Sequence, residues 1–207
     1  MQVGDKISFG KFDWRVLDTQ NSKALIITDN IIETRSYHDR YTDITWADCA
    51  LREYLNGTFY DTFTDDEKSL ITPVINQNPD NQWYGTKGGK DTQDSIFLLS
   101  LDEAVCKYFG DSSAKLYNRN PKHKYWFQSK DESNSKRGAI FNGHANSYWL
   151  RSPGRINAKA VYVKGNPWGC IGIQGNNVLE GNVSETEYFG GVRPVLWLCT
   201  DMAMLQS

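Results

Sequence analysis

No run of about 18 consecutive apolar residues occurs in this 207-residue chain, so no segment reads as a helix able to span a bilayer. Its opening, Met1-Gln2-Val3-Gly4-Asp5-Lys6, has no basic stretch leading into an apolar one, and a secretory leader is therefore not expected there. The expected setting is the cytoplasm, or that of a domain excised from a larger protein. A surplus of one charge sign is missing too: 23 Lys+Arg stand against 25 Asp+Glu, a net charge of −2. Without a basic field, nucleic acid and membrane insertion are both unexpected. Four cysteines, Cys49, Cys106, Cys170 and Cys199, lie 57, 64 and 29 positions apart, which matches neither a zinc-ligand spacing nor a Cys-x-x-Cys redox pair. They read as small buried thiols in a reduced compartment. Phosphate-loop, nucleophile-elbow and His-Glu-x-x-His signatures are absent as well, and Gly88-Gly89-Lys90 is too short to stand for the first.

What the chain has in quantity is aromatic surface, seven Trp, eleven Tyr and nine Phe, suited to a large irregular core or to recognition patches. The alternation in Lys6–Phe9 and in Phe12–Leu17 around Gly10-Lys11 predicts a half-buried hairpin, with Ala24–Ile27 as a third strand of an antiparallel meander. Three helices are predicted next. Thr45 precedes Trp46–Leu55 as a cap, with Asn56-Gly57 as its stop. Thr64-Asp65-Asp66-Glu67 and Ser100-Leu101-Asp102-Glu103 are capping boxes, the second opening a helix to Phe109 with Gly110 as its end. Ser95–Leu99 reads as a buried strand feeding that helix.

Residues 73–94 and 111–143 turn polar, and loops this long need an ordering device. Trp83, Tyr84, Tyr125, Trp126 and Phe127 are the aromatic candidates. The last third returns to glycine-broken strands over 147–151, 158–164, 168–174 and 192–198. Strands, then helices, then strands imply an α+β fold in a single domain over residues 1–207, with antiparallel strands, about three short helices and long ordered loops.

Trp14-Arg15-Val16-Leu17, Thr45-Trp46 with Leu51–Asn56, Ile96–Ser100, Tyr148–Gly154 and Gly191–Leu196 follow one another in an order and spacing that resemble a widespread bacterial and phage domain family of unknown function. The Trp149–Ser152 and Gly191–Arg193 segments are similar in turn to the C-type lectin-like fold shared with formylglycine-generating enzymes and retroelement-diversified variable proteins. That resemblance implies a carboxyl-terminal strand paired with the amino-terminal ones and a ligand surface between residues 158 and 190. Fold alone assigns no function.

The resemblance directs attention to several residue sets. Arg151 and Arg193 lie in apolar strands, where a guanidinium must be paired, with Asp102, Glu103 and Asp48 as candidate partners; they read as struts. Copper held as in formylglycine-generating enzymes would need Cys170 and Cys199 together, yet neither sits in a matching motif. His38, His123 and His144, 85 and 21 residues apart, do not form an iron triad. Asn176, Asn177, Glu180 and Asn182 are oxygen-rich, and Asn78-Pro79-Asp80 faintly resembles a lectin calcium loop, but ordinary turn chemistry accounts for both. No metal or cofactor is expected, and no catalytic residue is assigned.

The remaining candidate is a recognition surface over 157–190 carrying Tyr162, Asn166, Trp168, Asn176, Asn177 and Tyr188. Tyr and Trp offer rigid contact area, and Asn offers donor and acceptor together. The expected function is non-catalytic binding of a protein or glycan. The adenine-rich asparagine codons are compatible with retroelement diversification. A formylglycine-generating-type oxidase and a structural domain of a larger bacterial or phage assembly are the alternatives.

Overall fold

The computed structural model describes residues 1–109, 116, 132–166, 168–181 and 189–200. The expected amino-terminal meander is present. β1 (Lys6–Phe9) and β2 (Phe12–Gln20) pair antiparallel about the Gly10-Lys11 turn, and β3 (Lys23–Thr28) follows. Apolar alternation explains the side-chain placement: Trp14 and Val16 point into the core while Asp13 stays exposed. β14 (Val195–Cys199) returns to pair with β3, and β5 (Ile71–Thr72) pairs with its other edge, giving the order β1-β2-β3-β14-β5. The carboxyl-terminal strand thus joins the amino-terminal meander at its third strand.

The second sheet takes the order β12-β11-β10-β13-β4, from β4 (Glu33–Thr34), β10 (Tyr148–Pro153), β11 (Lys159–Val163), β12 (Ile171–Asn177) and β13 (Gly191–Val192). Its pairings are antiparallel apart from β10 with β13. β13 passes directly into β14 through Arg193-Pro194, so these two residues carry the chain from one sheet to the other. There the buried Arg193 donates to the carbonyls of Thr28, Asp29 and Arg137 and to the Tyr148 hydroxyl. It is a strut, but its partners are three backbone carbonyls and a tyrosine hydroxyl rather than an expected carboxylate.

Local signals succeeded where the backbone decides and failed where tertiary contacts do. The Thr64 capping box is complete and opens α2 (Asp65–Leu70). The Ser100 box also forms, with Ser100 N–H donating to Glu103 and Glu103 N–H to the Ser100 hydroxyl, and leads into a wide π-helical turn at Glu103–Lys107. Thr45 makes no side-chain cap. The first helical segment is broken into a 3-10 turn (Trp46–Asp48) and α1 (Ala50–Tyr54), whose cap is Cys49 accepting from Arg52 N–H. Nor do Asn56-Gly57 stop it: a π-turn runs through Leu55–Phe59, because the Asn56 amide is engaged by Ser95 and Ile96. Residues 96–99 are buried but form only a bridge between Phe97 and Val195.

Both segments read as polar loops contain structure. β6 (Val74–Asn76) pairs with β7 (Thr92–Asp94). The second holds a helix (Glu132–Arg137) and the β8 (Ala139–Phe141)–β9 (His144–Asn146) hairpin, turned by Asn142 and Gly143 at positive φ. The predicted strand over 168–174 begins only at Ile171. One hydrophobic cluster draws on both sheets and on the helical segments, including Trp14, Trp46 and Trp149. No helix among the described residues is long and apolar enough to cross a membrane.

Candidate functional site

Among the described residues lies a cleft of about 450 Å³ between two walls. Ile75, Asn76, Gln77, Pro79 and Gln82, from β6 and the loop after it, form one. Ser100, Asp102, Glu103 and Lys107, from the capped helical turn, form the other, and Arg151 of β10 lies beneath them. Arg151 is 3% exposed. Its guanidinium grips both oxygens of Glu103, with Nη2–Oε1 at 2.9 Å, and also donates to the Leu98 carbonyl at 2.7 Å, the Gln77 carbonyl at 3.2 Å and Asn78 Oδ1 at 3.2 Å. A buried cation is costly unless fully bonded, and this one is bonded from both walls.

Burial alone would raise the Glu103 carboxyl pKa. The charge and hydrogen bonds of Arg151, with the Ser100 N–H, outweigh burial and hold it below the usual glutamate value. The cleft floor is therefore a fixed ion pair in which Glu103 stays ionised, an arrangement unsuited to a general acid.

Behind the β6 wall the polar contacts continue. Asn78 Nδ2 donates to Thr92 Oγ1 at 3.3 Å, and Thr92 Oγ1 donates to Asp94 Oδ2 at 2.7 Å. The Asp94 side chain is wholly buried. It also accepts from Trp46 Nε1 at 3.0 Å, Arg52 Nε at 2.6 Å and Asn76 Nδ2 at 2.9 Å. A chain of hydrogen bonds thus runs Arg52–Asp94–Thr92–Asn78–Arg151–Glu103 and ties α1, the β6–β7 hairpin, β10 and the helical wall into one frame. Each neutral bond contributes only about 1 kcal/mol net, whereas leaving either buried charge without its partner costs roughly 3–5 kcal/mol, so the two ion pairs dominate the energetics.

The loop over 77–91 is fastened mainly by amides. Asn81 donates to the Pro153 carbonyl at 2.8 Å and accepts from the N–H groups of Trp83 and Tyr84, while Asn157 donates to the Lys87 carbonyl. Trp83 and Tyr84 add half-buried packing against the core. A Cβ on Gly88 would lie 2.1 Å from the Asn78 carbonyl oxygen, so only glycine lets this loop fold back on itself.

The sequence-selected surface residues are held by separate neighbours. Tyr162 is half-buried between Trp149 and Phe189, at ring distances of 6.5 and 4.7 Å. Trp168 lies over Gly138 and donates its indole N–H to the Ser135 carbonyl at 3.3 Å. Asn166 is exposed, and Asn176 and Asn177 are half-buried on β12 opposite Ala160 and Lys159. Asn177 Oδ1 accepts from Leu179 N–H as an ordinary turn former. Tyr188 lies outside the described residues, as do Asn182, His123, Gly110, Tyr125, Trp126 and Phe127.

Cys170 precedes β12 and accepts from Asn134 Nδ2 at 3.3 Å, whereas Cys199 closes β14 in the other sheet opposite Lys23. Among the described residues no group of three or more His, Cys, Asp or Glu side chains converges as metal ligands would. Sequence reasoning named Glu103 as a possible partner of Arg151 but missed the cleft, because Asn76, Gln77, Asn78 and Gln82 looked like solvent-loving loop residues. The one available signal was the pairing of a lone arginine in an apolar strand with a capping-box glutamate.

Residues 21–200 match the family described as a domain of unknown function (DUF6273). The chain matches no curated protein and no solved structure.

Proposed function

The chain belongs to this family, and we propose that it is a non-catalytic recognition domain that binds a protein or glycan ligand, with the cleft above Glu103 and Arg151 as its principal contact. The observation that carries the reading is the state of the cleft's most chemically capable groups. Glu103 and Arg151 are bonded to each other and to the frame, so the cleft's buried ion pair is committed to structure beneath a concave, largely polar surface. Contact through the exposed Asn166 and the half-buried Asn176, within 157–181, is the rival site of the same reading.

The C-type lectin-like architecture belongs to the same proposal. What supports it is the return of β14 beside the amino-terminal meander and the passage of one short segment, Gly191–Cys199, through both sheets. A bacterial or phage origin is part of the same proposal, and retroelement diversification within it falls on exposed positions such as Asn166. Asn177 is a poor candidate, since its side chain is committed to its own turn.

The test is binding of the full chain and of a Gln77→Ala/Lys107→Ala variant to glycan and peptide arrays. Both residues are exposed, so the fold should survive. Binding lost in the variant with an unchanged melting temperature supports the cleft. Binding retained there but lost in Asn166→Ala/Asn176→Ala moves the site to the other face. Turnover of a bound ligand overturns the non-catalytic reading.

A further inference from the structure

Asn-Gly occurs twice in the chain, at Asn56-Gly57 and at Asn142-Gly143. In this pair the glycine has no Cβ to shield its own backbone nitrogen, which can therefore reach the side-chain amide carbon of the preceding asparagine and close a five-membered ring. The fold puts the two pairs in opposite surroundings.

The Asn56 amide is held on both sides. Its Nδ2 donates to the Arg52 and Ile96 carbonyls at 3.1 and 2.8 Å, and its Oδ1 accepts from the N–H groups of Ser95 and Ile96 at 2.8 and 3.2 Å. All of these bonds must break before the ring can close. Asn142 and Gly143 instead form the exposed tip of the β8–β9 hairpin, with φ of 49° and 81°. No hydrogen bond to a described residue holds the Asn142 side chain, and a Cβ built on Gly143 would meet nothing within 4 Å. Each strand of this hairpin is 3 residues long, so its tip belongs with the segments that open at least cost.

Asn21-Ser22 is an internal comparison. It forms the β2–β3 turn with the same handedness, at φ of 42° and 61°, and is also exposed. Its second residue carries a side chain, however, and the Ser22 carbonyl accepts from the Thr200 N–H at 2.7 Å, which ties that turn to the residue after β14.

We infer that Asn142 is a self-modification site, where the chain converts asparagine to aspartate and isoaspartate without a catalyst. The Gly143 nitrogen gives up its proton at mildly alkaline pH and attacks Asn142 Cγ. The new N–C bond replaces the Cγ–Nδ2 bond, and the amide nitrogen leaves as ammonia, taking up a proton equivalent to the one Gly143 lost. Water then opens the imide: attack at Cγ gives aspartate, and attack at the Asn142 backbone carbonyl carbon gives isoaspartate, in which the main chain runs through the side chain. Either product places a carboxylate at the hairpin tip. Isoaspartate also lengthens the backbone within a two-residue turn whose geometry fixes the strand register.

The experiment is a time course of the full chain at mildly alkaline pH, folded and in urea, read by peptide mass spectrometry with fragmentation that separates isoaspartate from aspartate. In urea, Asn56 and Asn142 should convert at similar rates, both faster than Asn21. In the fold, Asn142 should convert at least about tenfold faster than either Asn56 or Asn21. An Asn142→Asp chain should lose most of the ammonia release of the folded protein. Conversion of folded Asn142 no faster than that of Asn56 overturns the assignment, and so does ammonia release from Asn142→Asp at the native rate. Asn21 keeping pace with Asn142 in the fold overturns the part given to glycine and to the free tip.

Discussion

Arg151 and Glu103, 48 residues apart in the chain, meet as a two-pronged pair, and the same glutamate closes the capping box of its own helical turn. One carboxylate thus does a local and a long-range job: it starts the helical wall of the cleft and anchors that wall to β10. Because Arg151 also bonds the Gln77 carbonyl and Asn78, the opposite wall depends on the same cation.

Breaking that pair from one side leaves a buried charge. Glu103→Gln and Arg151→Met are each expected to destabilise the fold by roughly 3–5 kcal/mol in urea unfolding. The double variant should cost less than the two single losses added together, since no uncompensated charge then remains. Strict additivity would show that the two side chains do not depend on each other.

Acid should reveal the same interaction. The Glu103 pKa is lower in the fold than in the unfolded chain, so its contribution is fully present above the unfolded value, about 4.3, and is lost as pH falls through the lower folded value. Unfolding free energy measured down a pH series should fall less steeply through that window for Glu103→Gln than for the native chain. An identical acid limb in both proteins would remove Glu103 from the account.

Trp168 serves as a test of anchoring against display. A Cβ at position 138 would lie 1.9 Å from the indole ring, so Gly138→Ala is expected to destabilise the protein by about 1–3 kcal/mol through displacement of that ring. In a Trp168→Ala background the same substitution should cost much less. Equal costs in both backgrounds would mean that the indole does not rest on Gly138.

The thiols should separate by burial. Burial pushes the Cys49 thiol up to about 12, against the lowering effect of hydrogen bonds from the Arg52 N–H and the Tyr37 hydroxyl, so almost no thiolate forms near neutral pH. Native-state alkylation followed by mass spectrometry should label the half-buried Cys106 and Cys199 well before Cys49 and the buried Cys170. Early labelling of Cys49 would contradict its placement.

Much of the fold was legible because its signals are local. Alternation in Lys6–Leu17 marked the first hairpin, and Thr64–Glu67 and Ser100–Glu103 announced caps that the backbone forms unaided. The failures share a cause. Asn56-Gly57 has the composition of a helix stop, yet the Asn56 amide bonds Ser95 and Ile96, and those contacts carry the helix onward. Asn78, Thr92 and Asp94 fell in a stretch read as a polar loop, but burial makes them members of a hydrogen-bond chain whose other members lie far along the sequence. The Asn142-Gly143 turn was the exception, a local signal hidden in a stretch read only for its polarity. The cleft itself was illegible because its walls come from different segments and its side chains are individually ordinary.

Amide chemical-shift mapping tests the central claim most directly. On adding a ligand identified by array or titration, the account predicts shifts concentrated in residues 75–82 and 100–107, with Tyr162, Trp168 and Asn177 unmoved. Shifts concentrated instead on 157–181, with the cleft silent, would contradict it.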